Sequence, residues 1–227
     1  MEILFEDHQI IAVNKPAGVS TIPSQTYGKE ITLVGMAEKM CGQKLFVVHR
    51  LDKDTSGVVV FAKTKEAHRD LNMQFDQRKV IKKYLAVVEG SAGFDEKTIN
   101  IPISKGTKNS IKVRLARTGI EAITELKTVK RGKEISILEV SPITGRRHQI
   151  RLHLKAIGHP LLIDPVYGNP GPVGSLKRMP LHAASITFAH PATQEQMTIK
   201  APLFDDMKDL INAHPLPPRP QPQDPLL

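Results

Sequence analysis

The residues best suited to chemistry gather in two short segments. The first is His49-Arg50-Leu51-Asp52-Lys53-Asp54-Thr55-Ser56-Gly57, a charged stretch between the β-prone runs Leu45–Val48 and Val58–Ala62. A loop that leaves one strand and enters another carries its side chains on a rigid support, and catalytic groups concentrate on such loops. Asp52 and Asp54 are its acids. The pattern Asp52-x-Asp54-x-Ser56-Gly57 imitates the first half of a calcium loop. However, the twelfth position, where a bidentate glutamate is required, is the cation Lys63, and the flanks read as strands rather than helices. Calcium is excluded. Zinc fares no better: His148 and His153 are too far apart in sequence to share a helix face, and Cys41 is the only cysteine. Ser56 would need an activating base to become a nucleophile, and its sequence neighbours offer none. Ser56-Gly57 reads more simply as the turn that ends the loop. That leaves carboxylate chemistry at Asp52 or Asp54, set against the ordinary use of either residue as a turn carboxylate or local cap.

The second segment is Thr144-Gly145-Arg146-Arg147-His148-Gln149-Ile150-Arg151-Leu152-His153, with three arginines and two histidines. Read as a helix capped by Thr144 and running to Ile157, it places Arg147, Arg151 and Lys155 on one face and Ile150, Leu154 and Ile157 on another. The apolar face would pack, and the basic stripe would either meet an anion or simply be solvated.

The elements that must position these segments are legible from periodicity and punctuation. Ile3–Phe5 and Ile10–Val13 flank Glu6-Asp7-His8-Gln9 as a hairpin, and Pro16 ends the second strand. Thr32 to Gly42 is expected to be helical, with Leu33, Val34, Ala37 and Met40 at helical spacing and Gly42 as the cap. Thr64 is the expected N-cap of a helix that aligns Ala67, Leu71 and Phe75. Strands are expected at Val80–Glu89, at Ile111–Leu115, where Lys112 and Arg114 face outward, and at Ile135–Val140, Leu181–Ala189 and Gln196–Ala201. A final amphipathic helix after Asp205-Asp206 carries Met207, Leu210 and Ile211. The segment from Pro215 to Leu227 holds six prolines and reads as a disordered polyproline tail. Strands mixed with segregated helices predict an α+β fold, a single domain over residues 1–213 on a mixed, mostly antiparallel sheet flanked by helices, followed by the tail at 214–227.

Composition narrows the partners. The chain has 227 residues and a net charge of +9, which favours a polyanion, and nucleic acid is the commonest one. Aromatic residues make up only 4%, with no tryptophan, which argues against a broad stacking platform for single strands and suits engagement of one base at a time. No apolar run reaches the roughly 18–20 residues of a membrane span. The acidic start Met1-Glu2-Ile3-Leu4-Phe5-Glu6-Asp7 is not a secretory signal. With one cysteine and no signal, a cytoplasmic location is expected.

His49-Arg50-Leu51-Asp52 followed by Thr55-Ser56-Gly57 resembles the signature of the RluA family of RNA pseudouridine synthases. Further segments agree in order: Asn14-Lys15-Pro16-Ala17-Gly18, Lys82-Lys83-Tyr84-Leu85-Ala86, Thr144-Gly145-Arg146, His148-Gln149-Ile150-Arg151 with His153, Gly158-His159-Pro160-Leu161-Leu162, Asp164 with Tyr167-Gly168, and Leu181-His182-Ala183. The resemblance spans residues 2 to 204 or so. It implies the pseudouridine synthase fold and an isomerase that breaks the N1–C1′ bond of a uridine in RNA, turns the uracil and joins C5 to the ribose. It implies Asp52 as the catalytic carboxylate, acting either as a nucleophile or as the base that starts elimination. By the same resemblance, Arg151 pairs with Asp52, Tyr84 stacks on the target base, and Arg50 contacts RNA beside the flipped nucleotide. No metal, cofactor or nucleotide is implied, because the isomerisation is redox-neutral. The expected partner is a structured RNA, 23S ribosomal RNA ahead of tRNA, acted on by a monomer. Two rival readings are a non-catalytic RNA-binding protein of this fold and a glycosylase-like hydrolase that releases the base. Arg147 and Ile163 depart from the family pattern, and the expectation is a catalytic domain without the accessory RNA-binding domain that some members carry.

Overall fold

The computed structural model describes residues 1–23, 31–106, 112–173 and 176–213. The expected proline tail therefore lies outside the described residues. Ten strands form one sheet in the path β1-β2-β4-β9-β5-β8-β7-β6, with β3 beside β4 and β10 beside β9. They are β1 (Glu2–Glu6), β2 (Ile10–Lys15), β3 (Phe46–Val47), β4 (Ser56–Ala62), β5 (Ile81–Glu89), β6 (Glu96–Asn100), β7 (Ile123–Arg131), β8 (Ile135–Pro142), β9 (Leu181–Ala189) and β10 (Gln196–Lys200). Every pairing is antiparallel except β4 with β9, which meet in parallel only at Ser56↔His182 and Gly57↔Ala183. This junction joins two half-sheets. Gly57 makes it possible: its φ is +115°, and a Cβ there would lie 2.3 Å from the carbonyl oxygen of Ala183. Ser56 and Gly57 are thus the first residues of β4, not the turn expected from their types.

The N-terminal half-sheet buries Ile10–Val13 and Val58–Ala62 against α1 (Leu33–Cys41) and α2 (Lys65–Asp76). Both helices start at the expected caps, Thr32 accepting from the Gly35 amide and Thr64 from the Ala67 amide, and Gly42 ends α1 in the left-handed region. Met40 points outward instead of joining Leu33 and Ala37 in the core. The C-terminal half-sheet is covered on both faces, and alternation along β5 decides what each face meets. Ala86 and Val88 pack with Ile150 and Leu154 of α3 (Gln149–Ala156), while Val87 packs with Met207 and Leu210 of α4 (Asp205–Asn212). Tyr84 touches the cores of both half-sheets. The strand expected near Val113 is absent: Leu115 makes one isolated bridge to Ile103, and Ile111 lies outside the described residues.

Candidate active site

The loop between β3 and β4 is held from below by a lysine. Lys15 ends β2 fully buried, and its ammonium donates to the carbonyls of Pro16 (3.0 Å), Lys53 (2.7 Å) and Thr55 (2.7 Å). Burial lowers its pKa to about 8, against the opposing pull of Asp54 and Asp52. The Thr55 amide closes a turn onto the Asp52 carbonyl at 3.1 Å, and Thr21 brackets Leu51 by accepting from its amide and donating to its carbonyl. His49 accepts from the Val60 amide at 2.9 Å and stacks on Phe75. Burial, then the charge of Lys82, lowers the pKa of His49 to about 3, so it is a neutral structural imidazole. With the backbone tied at so many points, the Asp52 side chain has a fixed origin.

Asp52 opens into a cleft of about 470 Å³ between the half-sheets, which Arg50, Lys82, Tyr84, His148 and Arg151 also line. The four residues expected at the site, Asp52, Tyr84, Arg151 and Arg50, are therefore brought together. Tyr84 forms part of the wall from β5, and burial, then the charge of Asp52, pushes its phenol pKa up, so the ring stays neutral. Arg50 is exposed at the rim. Lys82 lies in the cleft with its pKa lowered by burial.

Arg151 is placed differently from the exposed stripe read from periodicity. The helix begins at Gln149, not after Thr144, so Arg147 precedes it and shares no helical face with Arg151. Thr144 instead donates to Gln149 Oε1 at 2.7 Å and accepts from the Ile123 amide at 2.9 Å, which ties the segment to β7. Arg151 is buried, and its fork binds Asp164 through Nε (2.8 Å) and Nη2 (2.6 Å). Its remaining nitrogen, Nη1, lies 3.7 Å from Asp52 Oδ2. Burial opposes charge at both members of the fork. Their mutual hydrogen bond and charge outweigh it, raising the Arg151 pKa and lowering that of Asp164. Asp164 Oδ1 also accepts the amides of Val166 and Tyr167, which sets the following loop. Ile163, where the family pattern differs, fills the core beside Leu162.

Three contributors were missed by sequence reasoning. Lys15 and Asp164 belong to segments quoted for the resemblance, but nothing local marked their partners. His148, weighed only as a zinc ligand and quoted within the resemblance, has its Nε2 3.9 Å from Asp52 Oδ2, a proximity that nothing in its sequence neighbourhood marked. Ser56 does meet a base, contrary to expectation: its Oγ is 2.9 Å from His182 Nδ1. Both residues are fully buried outside the cleft, and Arg178 donates to the same oxygen at 3.1 Å. The pair joins β4 to β9 and is not part of the cleft lining. Among the described residues no group of three or more His, Cys, Asp or Glu side chains could hold a metal ion, and no helix is long and apolar enough to cross a membrane.

The fold is an open mixed sheet with a cleft between its halves, in which Asp52 faces the buried Arg151 beside Tyr84. The human RNA pseudouridylate synthase domain containing 4 has the same fold, with a TM-score of 0.74 and 26% identity over 91% of this chain and 90% of that one. The RNA pseudouridylate synthase family model matches residues 9–156. The uncharacterized RNA pseudouridine synthase YhcT of Bacillus subtilis is 37% identical over 94% of this chain and 72% of its own length. The ribosomal large subunit pseudouridine synthase C of Vibrio vulnificus is 35% identical over 93% and 68%. The dual-specificity RNA pseudouridine synthase RluA of Vibrio cholerae is 33% identical over 94% and 88%. The chain belongs to the RluA family of RNA pseudouridine synthases, isomerases that act on uridines in RNA.

Proposed function

We propose that Asp52 carries out the isomerisation in this cleft, with Arg151 as its partner and Tyr84 as the flat surface on which the extruded uracil rests. The observation that carries the reading is the single Arg151 nitrogen left over from the Asp164 fork, 3.7 Å from Asp52 Oδ2. A guanidinium at that distance supports an ionised carboxylate by a gross attraction of about 4 kcal/mol at an effective dielectric near 20. An ionised Asp52 is what either route needs, whether attack as a nucleophile or removal of a proton. Tyr84, kept neutral, offers an uncharged aromatic face to a base taken out of its stack. Arg50 at the rim is suited to a phosphate of the flanking RNA.

The substrate is a structured RNA with the target uridine in a loop, where extrusion costs least. Ribosomal RNA of the large subunit is placed ahead of tRNA, supported by the naming of the Vibrio vulnificus relative for the ribosomal large subunit. The catalytic unit extends over residues 1–213, works as a monomer and acts in the cytoplasm. Release of tritium from C5-tritiated uridine in ribosomal RNA and tRNA transcripts tests the reading. The wild type is expected to release tritium and Asp52→Asn to release none while still binding RNA. Unchanged release would remove Asp52 from the reaction, and free uracil as product would replace isomerisation by base hydrolysis.

A further inference from the structure

Among the described residues three non-glycine positions have positive φ: Arg78, His148 and Gln194. His148 stands at φ +53°, immediately before α3, and its side chain makes no capping bond to the helix. A left-handed backbone costs an L-residue roughly 1–2 kcal/mol, least for glycine or asparagine. On backbone grounds alone either would be preferred here. Four charged groups act electrostatically on the imidazole: Asp52, Arg151, Arg147 and Asp164. Its Nδ1 lies 2.9 Å from the Tyr167 hydroxyl, and its Nε2 faces Asp52 Oδ2 at 3.9 Å.

The hydrogen-bond inventory of Tyr167 narrows what Nε2 can carry. The hydroxyl accepts from the Val113 amide at 3.0 Å and lies 3.1 Å from the Val113 carbonyl. It has one proton to give, either to that carbonyl or to His148 Nδ1. If the carbonyl takes it and the imidazole is neutral, His148 Nδ1 must hold the ring proton, and a bare Nε2 lone pair faces a carboxylate. If Nδ1 takes it, Nε2–H faces the carboxylate. The imidazolium also presents Nε2–H. An anion 3.9 Å away selects against the first form. We infer that His148 is a positioning residue for the proposed catalytic carboxylate, directing an Nε2–H at Asp52 Oδ2 with its ring held from behind by Tyr167. The arrangement rests on the reading of Asp52 given above. It gives the carboxylate a second fixed neighbour besides Arg151 Nη1, and a gap of this length is of the kind that closes when substrate fills a cleft.

The test separates this role from a backbone role. In His148→Gln the side-chain amide nitrogen reaches the level of imidazole Nε2. In His148→Asn it reaches only that of Nδ1, while the backbone becomes better suited to positive φ. Tritium release by the full chain, on whichever transcript the wild type modifies fastest, is expected to fall about 10- to 100-fold in kcat for His148→Asn with KM little changed, the scale of a misplaced reacting group. His148→Gln is expected to recover most of that loss. Asparagine at least as active as glutamine, or equal losses in both folded variants, overturns the inference. Nitrogen NMR of the His148 ring decides independently of turnover: protonation at Nε2 and a lower pKa in Asp52→Asn are expected, and a neutral ring protonated at Nδ1, or an unmoved pKa, overturns it. A wild type that releases no tritium would overturn the functional reading alone, since the ring's protonation and its response to Asp52→Asn are read without turnover.

Discussion

Asp164 and Asp52 face different edges of the same guanidinium. The Asp164 side chain is 1% exposed, receives two nitrogens of Arg151 and two backbone amides, and has its pKa held down. The Asp52 side chain is 28% exposed, stands 3.7 Å from one nitrogen of Arg151, and has its oxygens turned to the cleft. The first carboxylate is saturated with partners and orients the arginine. The second is approached but not consumed, which leaves lone pairs for a substrate. On the proposed reading, the reactivity of Asp52 comes from incomplete satisfaction supported by a satisfied neighbour.

Substitutions at the two acids should separate these roles. Asp164→Ala leaves the Arg151 charge buried with half its fork empty, so a loss of about 3–5 kcal/mol is expected in urea unfolding. A smaller loss, under about 1 kcal/mol, would mean that Asp164 does not anchor the arginine. The buried junction beneath the Asp52 loop should show itself in acid. Burial lowers the His182 pKa from 6.5 to about 4, while Ser56 donates to Nδ1 and Nε2 donates to the Ala201 carbonyl. As pH falls through 6.5 the unfolded chain takes the proton first, so stability declines from there to about pH 4 and the decline then levels off. The loss from this residue is about 3 kcal/mol at 1.36 kcal/mol per pKa unit. Urea midpoints recorded against pH should show it, and His182→Gln should flatten that slope. At the junction itself, Gly57→Ala forces a methyl onto the Ala183 backbone and should cost about 1–3 kcal/mol. The smallest effect belongs to the rim: Arg50→Ala should weaken RNA binding by about 1 kcal/mol and reduce the salt slope of log K by about 1, with no change in folding.

What sequence could and could not reveal follows the range of the interactions. The caps at Thr32, Gly42 and Thr64 were legible because a cap is a contact within a few residues. The loop bearing Asp52 was legible because its flanking runs are β-branched and apolar. Thr144 looked like a cap by its type but spends its hydroxyl on Gln149 and β7, so α3 starts at Gln149 and the basic stripe dissolves. Alternation at residues 111–115 promised a strand, yet Val113 is engaged by the Tyr167 hydroxyl and Leu115 makes only an isolated bridge. The lysine that holds the loop, the serine–histidine pair beneath it and the aspartate that aims Arg151 all depend on partners 13 to 126 residues away. Periodicity has no access to such pairs. The resemblance supplied the site residues, and the structure supplied the reason that Arg151 is aimed.

The most direct measurement sets Asp52→Asn beside Asp164→Asn, reading pseudouridine formation and unfolding free energy on the same preparations. Asp52→Asn is expected to lose more than about 1,000-fold in rate, a loss of transition-state stabilisation near 4 kcal/mol, while unfolding moves by less than about 0.5 kcal/mol. Asp164→Asn is expected to lose stability first, and activity with it. An active Asp52→Asn enzyme, or an Asp52→Asn chain destabilised as much as Asp164→Asn, would contradict the division of labour between the two carboxylates.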